Sequence, residues 1–197
     1  MTSTEPWALI LGASSGFGAA TACELASRGF HIAGVHLDRK ATLVNVEQLI
    51  QRIQQTGRKA LFFNVNAADP EKRTDVLTQL EPALTGSQPP GQVKVFMHSL
   101  AFGTLKPYIT DDPKQALTKD QLEMTLDVMA HSLVYWVQDL LARRWIGQGS
   151  HIVAMTSSGG TRVWPNYGAV SAAKAALESH IRQLAMELAP YGVPANC

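Results

Sequence analysis

An α/β fold, built as a doubly wound parallel sheet with helices on both faces, is what this 197-residue sequence predicts. Two observations carry the prediction. Short apolar runs alternate with amphipathic stretches along the whole chain, and the first apolar run breaks directly into a glycine-rich turn that opens a helix. A strand, a crossover helix and a next strand in that rhythm place the strands parallel, because each crossover must lie over a sheet face.

The elements follow in order. The first strand is read over 7–11, Trp-Ala-Leu-Ile-Leu, an apolar run of buried-strand length, and the helix after its turn over 19–28. Further strands are expected over 30–36, 59–65, 93–97 and 151–155, with a sixth starting at Val193. A helix over 70–84 opens with Asp69 as N-cap and Pro70 in its first position. The next helix starts after Thr118 with the capping box Thr-x-x-Gln121. Its apolar residues Leu122, Leu126, Met129, Leu133, Trp136 and Leu140 step by three and four, which predicts one long helix with a core-facing stripe. Val170, Ala173, Leu177, Ile181, Leu184 and Leu188 predict the same for the last helix. The segment 85–91, with Pro89-Pro90, reads as a surface loop.

Bulk properties narrow the function. The length suits one domain spanning 1–197, large enough to bury a core between a sheet and two helix layers. Seventeen basic against sixteen acidic residues, interspersed, give no field to gather polyanions, so nucleic acid is not an expected partner. Cys23 and Cys197 have no metal-type spacing, no metal site is expected, and both read as reduced thiols. No apolar run approaches the ~20 residues that span a bilayer, and the first six residues carry neither a basic start nor an apolar segment. A cytoplasmic location is expected.

Two motifs carry chemistry. In Gly12-Ala13-Ser14-Ser15-Gly16-Phe17-Gly18, glycines at a strand-to-helix turn let the backbone approach a pyrophosphate, which the N–H groups and dipole of the helix start can hold. In Tyr167-Gly-Ala-Val-Ser-Ala-Ala-Lys174, a phenol and an amine seven positions apart fall within roughly 20° on a helix, one side of which they would share. The hydroxyls of Thr156, Ser157 and Ser158 precede them.

Together, Gly12-x-x-x-Gly16-x-Gly18, Ser157, Tyr167 and Lys174 resemble a short-chain dehydrogenase/reductase, collinear from Trp7 to Asn196. The resemblance implies a Rossmann-type fold and hydride transfer with NAD(H) or NADP(H). Two departures narrow it. The superfamily's usual Tyr-x-x-x-Lys is absent, Val170 filling that Tyr position, and six residues separate Tyr167 from Lys174 as in enoyl-acyl carrier protein reductases. After the fourth strand, His98-Ser99-Leu100-Ala101-Phe102 is similar to the His-Ser-Ile-Gly/Ala-Phe of those enzymes and not to Asn-Asn-Ala-Gly.

The resemblance implies roles. Lys174 would hold the nicotinamide ribose hydroxyls and assist the phenol of Tyr167, which would hydrogen-bond a substrate carbonyl oxygen. Ser157 would be a third catalytic hydroxyl. Gly12, Ser14, Ser15, Gly16, Phe17, Gly18, Asn64, Val65, Ser99 and Ala101 would line the cofactor. His98 reads as a strand-end histidine satisfied by backbone. Met129 stands where ketoreductases of the superfamily carry a proton-relaying Asn, which favours reduction of a 2-enoyl thioester over that of a ketone. A carbonyl or 3-ketoacyl reductase and a non-catalytic dinucleotide-binding protein are the alternatives. His36 occupies the place of the Asp that pairs with ribose in NAD-using members, and Arg39 and Lys40 follow it. NADP(H) is therefore expected over NAD(H), against the opposing charge of Asp38 and the replacement by Ser15 of an Arg common in NADPH users. Relatives continue past the sixth strand into a substrate-covering lid, which a chain ending at Cys197 is expected to lack. The helices that bear the two apolar stripes also imply a homo-oligomer, a dimer or tetramer.

Overall fold

The structure is a computed structural model that describes residues 5–86 and 88–197. Residues 1–4, part of the start read above for a leader, and Ser87 of the 85–91 loop lie outside the described residues.

The strands are β1 Pro6–Leu11, β2 His31–His36, β3 Ala60–Asn64, β4 Gln92–His98, β5 His151–Ala154 and β6 Ala195–Asn196. They form one six-stranded sheet in the order β3-β2-β1-β4-β5-β6, and every pairing is parallel. The helices are α1 Gly16–Ser27, α2 Leu43–Gln54, α3 Pro70–Thr85, α4 Lys119–Leu126, α5 Ser132–Ala142 and α6 Gly168–Leu188. Because the chain winds outward from β1 in one direction and then from β4 in the other, the crossovers diverge there and leave a crevice beyond the carboxyl ends of β1 and β4.

Both faces of the sheet are buried, and β1 shows why its sequence is apolar without alternation. Trp7, Leu9 and Leu11 join the core under α3, α5 and α6, while Ala8 and Ile10 point into the core under α1 and α2. The caps behave as their sequences require. Asp69 accepts from the N–H groups of Glu71 and Lys72, and Thr118 and Gln121 complete the reciprocal capping box.

The long helix expected after Thr118 is interrupted. A π-helical turn, Asp127–His131, separates α4 from α5. Side-chain hydroxyls flank it: Thr125 Oγ1 donates to the Gln121 carbonyl at 2.7 Å, and Ser132 Oγ donates to the Val128 carbonyl at 2.9 Å. The stripe survives unevenly, with Met129, Leu133, Trp136 and Leu140 buried but Leu122 and Leu126 only half-buried. The first helix starts at Gly16 and not at residue 19, and β6 is only two residues long.

Candidate dinucleotide and catalytic site

Backbone geometry builds the crevice. Gly12 N donates to Val35 O at 2.8 Å and Ser99 N donates to Leu11 O at 2.8 Å, which ties the ends of β1, β2 and β4 together. Gly12 has φ +82, and a Cβ there would lie 2.4 Å from the Ser99 carbonyl oxygen. Gly18 does not line the crevice as expected. Its place is structural, since a Cβ would come within 2.0 Å of the Gly12 oxygen and hold α1 off the turn. Gly12, Ser14, Ser15, Gly16, Phe17, Val65, Ser99 and Ala101 all line a cavity of about 420 Å³ at this point. Ser15, the N-cap of α1, makes no side-chain cap bond, so the first N–H groups of the helix are available to a phosphate.

At the β2 end the structure adds a residue to the lining. His36 lines the cavity, but Asp38 lines it as well, and Arg39 stands exposed outside the lining. Two short contacts explain why the carboxylate points inward: His36 Nδ1 lies 2.9 Å from Asp38 Oδ2, and Thr42 Oγ1 donates to Asp38 Oδ1 at 2.7 Å. Burial raises the Asp38 pKa, but hydrogen bonds from Ser14, Thr42 and His36 together outweigh it and hold the carboxyl below its ordinary value. Asn64 is also displaced from its expected role. Its side chain donates to Asp38 O at 3.0 Å and accepts from Asp38 N at 2.8 Å, so it braces the loop from outside, while Asn66 takes its place in the lining.

The catalytic candidates meet in an adjoining cavity of about 270 Å³ that shares Phe17, Ser99, Leu100 and Ala101 with the first. Ser157, Tyr167 and Lys174 all line it, and Met129 and Val170 supply an apolar wall. Tyr167 is the residue before α6, with φ −95 and ψ 3, and not part of the helix. The two groups converge because the cap turns the phenol toward the β5 end, a geometry that helical phase alone does not describe. Tyr167 OH lies 3.4 Å from Ser157 Oγ, which itself accepts from Gly159 N at 3.1 Å.

Lys174 is 5% exposed, and its Nζ donates to Met155 O at 2.6 Å and to Leu100 O at 3.4 Å. Burial lowers its pKa. Two carbonyls, one of them at long range, leave donor capacity on the ammonium for a ligand hydroxyl.

Further residues shape the site, Gly159, Tyr108 and Gly168 among them unmarked by sequence reasoning. A Cβ at Gly159 would lie 2.2 Å from the Tyr167 ring, so only glycine lets the phenol sit where it does. Thr156 Oγ1 donates to Glu178 Oε1 at 2.6 Å and fastens the β5 end to α6. Tyr108 covers the α6 start at Gly168, where a Cβ would meet its ring at 2.6 Å. His98 is fully buried, with Nε2 3.0 Å from the hydroxyl Oγ of Ser132. Its Nδ1 has no hydrogen-bond partner among the described residues, and burial, reinforced by the nearby Lys174 charge, pushes its pKa down to about 3.

Residues 12–197 match the family described as Enoyl-(Acyl carrier protein) reductase. The chain belongs to this family of short-chain dehydrogenase/reductases. Among its relatives, it is 27% identical over 188 residues to the 1-cyclohexenylcarbonyl-CoA reductase of Streptomyces collinus, covering 95% of this chain and 61% of that one. It is 32% identical over 109 residues to the Synechocystis enoyl-acyl-carrier-protein reductase (NADH) FabI, over 54% of this chain and 40% of the relative. The chain thus spans about three fifths of the first relative's length. A short-chain dehydrogenase of Burkholderia cenocepacia solved in complex with NADP superposes with TM-score 0.79 at 26% identity, covering 98% of this chain and 71% of that one. A Serratia marcescens short-chain dehydrogenase/reductase, at 22% identity and TM-score 0.79 over 98% and 73% of the two chains, shares the fold. No helix among the described residues is long and apolar enough to cross a membrane.

Proposed function

We propose that the protein is an NAD(H)-dependent reductase of 2-enoyl thioesters. The observation that carries this reading is the convergence of Tyr167 OH, Ser157 Oγ and the buried Lys174 ammonium in a cavity continuous with the crevice at the β1/β4 switch, with the Met129 side chain on its wall. A nicotinamide cofactor bound along the crevice would supply the hydride. Tyr167 donates to the thioester carbonyl oxygen, and as the carbon β to that carbonyl is reduced the same hydrogen bond stabilises the developing enolate. Lys174 holds the ribose hydroxyls and keeps positive charge beside the phenol. The final proton is delivered to carbon, so no relay to the carbonyl oxygen is needed, and Met129 in place of a relay Asn carries no penalty.

The cofactor preference proposed here reverses the one expected from sequence, because Asp38 and not Arg39 faces the crevice. A carboxylate already ionised there accepts from the hydroxyls of an unmodified ribose and repels a 2′-phosphate. The name of the Synechocystis relative, an NADH enzyme, points the same way.

A second reading, reduction of a 3-ketoacyl thioester, is favoured by the 3.4 Å approach of Ser157 to Tyr167, since two hydroxyls at one carbonyl oxygen also suit a ketone. The assay that separates them follows NADH oxidation at 340 nm with crotonyl and acetoacetyl thioesters. Faster oxidation with the crotonyl substrate is expected, and clear preference for acetoacetyl overturns the enoyl assignment.

A further inference from the structure

Beyond the last register pair of β2 and β3, His36 with Asn64, the two chains part, and a side chain continues the ladder between them. The Asn64 carboxamide accepts from Asp38 N at 2.8 Å and donates to Asp38 O at 3.0 Å, next to the bond from Val65 N to His36 O at 2.8 Å. Both Asn64 contacts thus go to one residue. The N–H and C=O of that residue flank its Cα, so fixing the two together fixes the direction in which the Cβ, and with it the carboxylate, leaves the backbone.

The other contacts of the carboxylate cannot set this direction alone. His36 and Thr42 lie two and four residues away in sequence, and Thr42 is bound to Arg39 O as well, so both would travel with the loop. Asn64 stands 26 residues away on β3, and Ser14 in the first turn, so these two refer Asp38 to the rest of the fold. Among the described residues only Asn64 does so through the Asp38 backbone. Arg39 follows in extended backbone, at φ −79 and ψ 159. Neighbouring side chains on extended backbone leave on opposite sides, so with Asp38 turned to the crevice Arg39 turns to solvent, where it stands exposed. Rotation of this segment would exchange a carboxylate for a guanidinium at the crevice.

We propose that Asn64 is the positioning residue for cofactor choice: by clamping the Asp38 backbone it aims the carboxylate, and not Arg39, at the 2′ position of the cofactor's adenosine ribose. The inference rests on the reading above that Asp38 meets that ribose. It gives Asn64 no direct contact with the cofactor, since its amide oxygen and nitrogen are both engaged by the loop.

The test is a mutant cycle read as the dissociation constants of NADH and NADPH, each titrated by fluorescence. Asn64→Ala and Asn64→Val are made alone and on a background lacking both charges, Asp38→Asn/Arg39→Ala, with Asp38→Asn alone as the control. Thermal melting of each variant establishes that the fold is retained, and valine keeps the strand propensity of the position. With two partly exposed hydrogen bonds lost, either Asn64 variant should lower the preference for NADH over NADPH by about threefold to tenfold. On the background without the charges the same substitutions should leave the ratio unchanged, because nothing remains to be aimed. A side chain that only steadied the loop, or that touched the adenine, would weaken both cofactors by one factor. An unchanged ratio in both Asn64 variants therefore overturns the inference, and so does a shift that persists in full on the uncharged background. If Asp38→Asn alone does not move the ratio, the ribose reading fails and the positioning role falls with it. If Asp38→Asn moves the ratio and the Asn64 variants do not, the positioning role alone is lost.

Discussion

His98 makes the stability of this fold depend on pH in a calculable way. The ring is fully buried and neutral, its Nε2 is engaged by Ser132, and its pKa lies at about 3 against 6.5 for an exposed histidine. The unfolded chain therefore binds a proton between those values that the folded chain refuses, so stability is intact above about pH 6.5 and falls as pH falls toward 3. With 1.36 kcal/mol per pKa unit, acidifying from pH 7 to pH 5 costs about 2 kcal/mol through this one residue, and about 3 by pH 4. His31 and His180 have lowered pKa values as well, each mainly from burial, and they add to the loss in the whole protein. The informative quantity is therefore the difference between the parent and His98→Leu, which removes the titrating ring while Ser132 keeps its hydrogen bond to Val128. Urea unfolding followed by tryptophan fluorescence at pH 7, 6 and 5 gives both curves. The variant's curve should be flatter by about 2 kcal/mol over that span, whatever its absolute stability. Parallel curves would refute the claim that a buried, uncharged His98 carries this linkage.

Tyr167→Phe removes the carbonyl donor alone and should lower turnover by roughly 10²- to 10³-fold while the NADH dissociation constant stays put; undiminished turnover would remove Tyr167 from the mechanism. Asp38→Asn should weaken NADH and strengthen NADPH, each by several-fold, when both are titrated by fluorescence, and tighter NADPH binding by the unaltered protein would show that Arg39 reaches the ribose after all. Lys174→Met should weaken NADH binding and at the same time raise the thermal midpoint, because it removes a buried cation held only by carbonyls; a lowered midpoint would mean that those carbonyl contacts stabilise the fold on balance.

The parts of the molecule legible in the sequence were those set by local pattern. Apolar runs such as 7–11, the Asp69-Pro70 start and the Thr118 capping box each state their structure within a few residues, and the parallel sheet covered on both faces follows from the alternation of strands and helices. The π turn was not legible, since the stripe from Met129 to Leu140 keeps its spacing through it and the displaced carbonyl bonds depend on Thr125 and Ser132 hydroxyls that could as well have faced solvent. The part Asp38 plays at the end of β2 was not legible for a related reason. Asp38 and Arg39 are neighbours, and the carboxylate is held by His36 and Thr42 close by in sequence and by Ser14 from the distant first turn. Tyr167 and Gly159 make the same point: the ring's position depends on a glycine eight residues earlier that no periodicity marks.

These contacts also show where the fold concedes stability. The sheet core under α3, α5 and α6 is apolar throughout, with Leu9, Phe96, Leu133 and Trp136 wholly buried. At its upper edge, where β4 and β5 end, the same packing encloses His98 and Lys174, two ionisable groups whose charged forms burial disfavours. A core designed for stability alone would place apolar side chains at both points. On the function proposed above Lys174 would have a reason to be there, since an ammonium with donor capacity left over and little competing water is what a ribose hydroxyl and a phenol would require. His98 extends the same polar edge inward, and its neutral ring adds no like charge beside that ammonium. Of the histidines whose pKa burial lowers, His98 is thus the one that lies against the candidate site, whereas His31 and His180 lie apart from it.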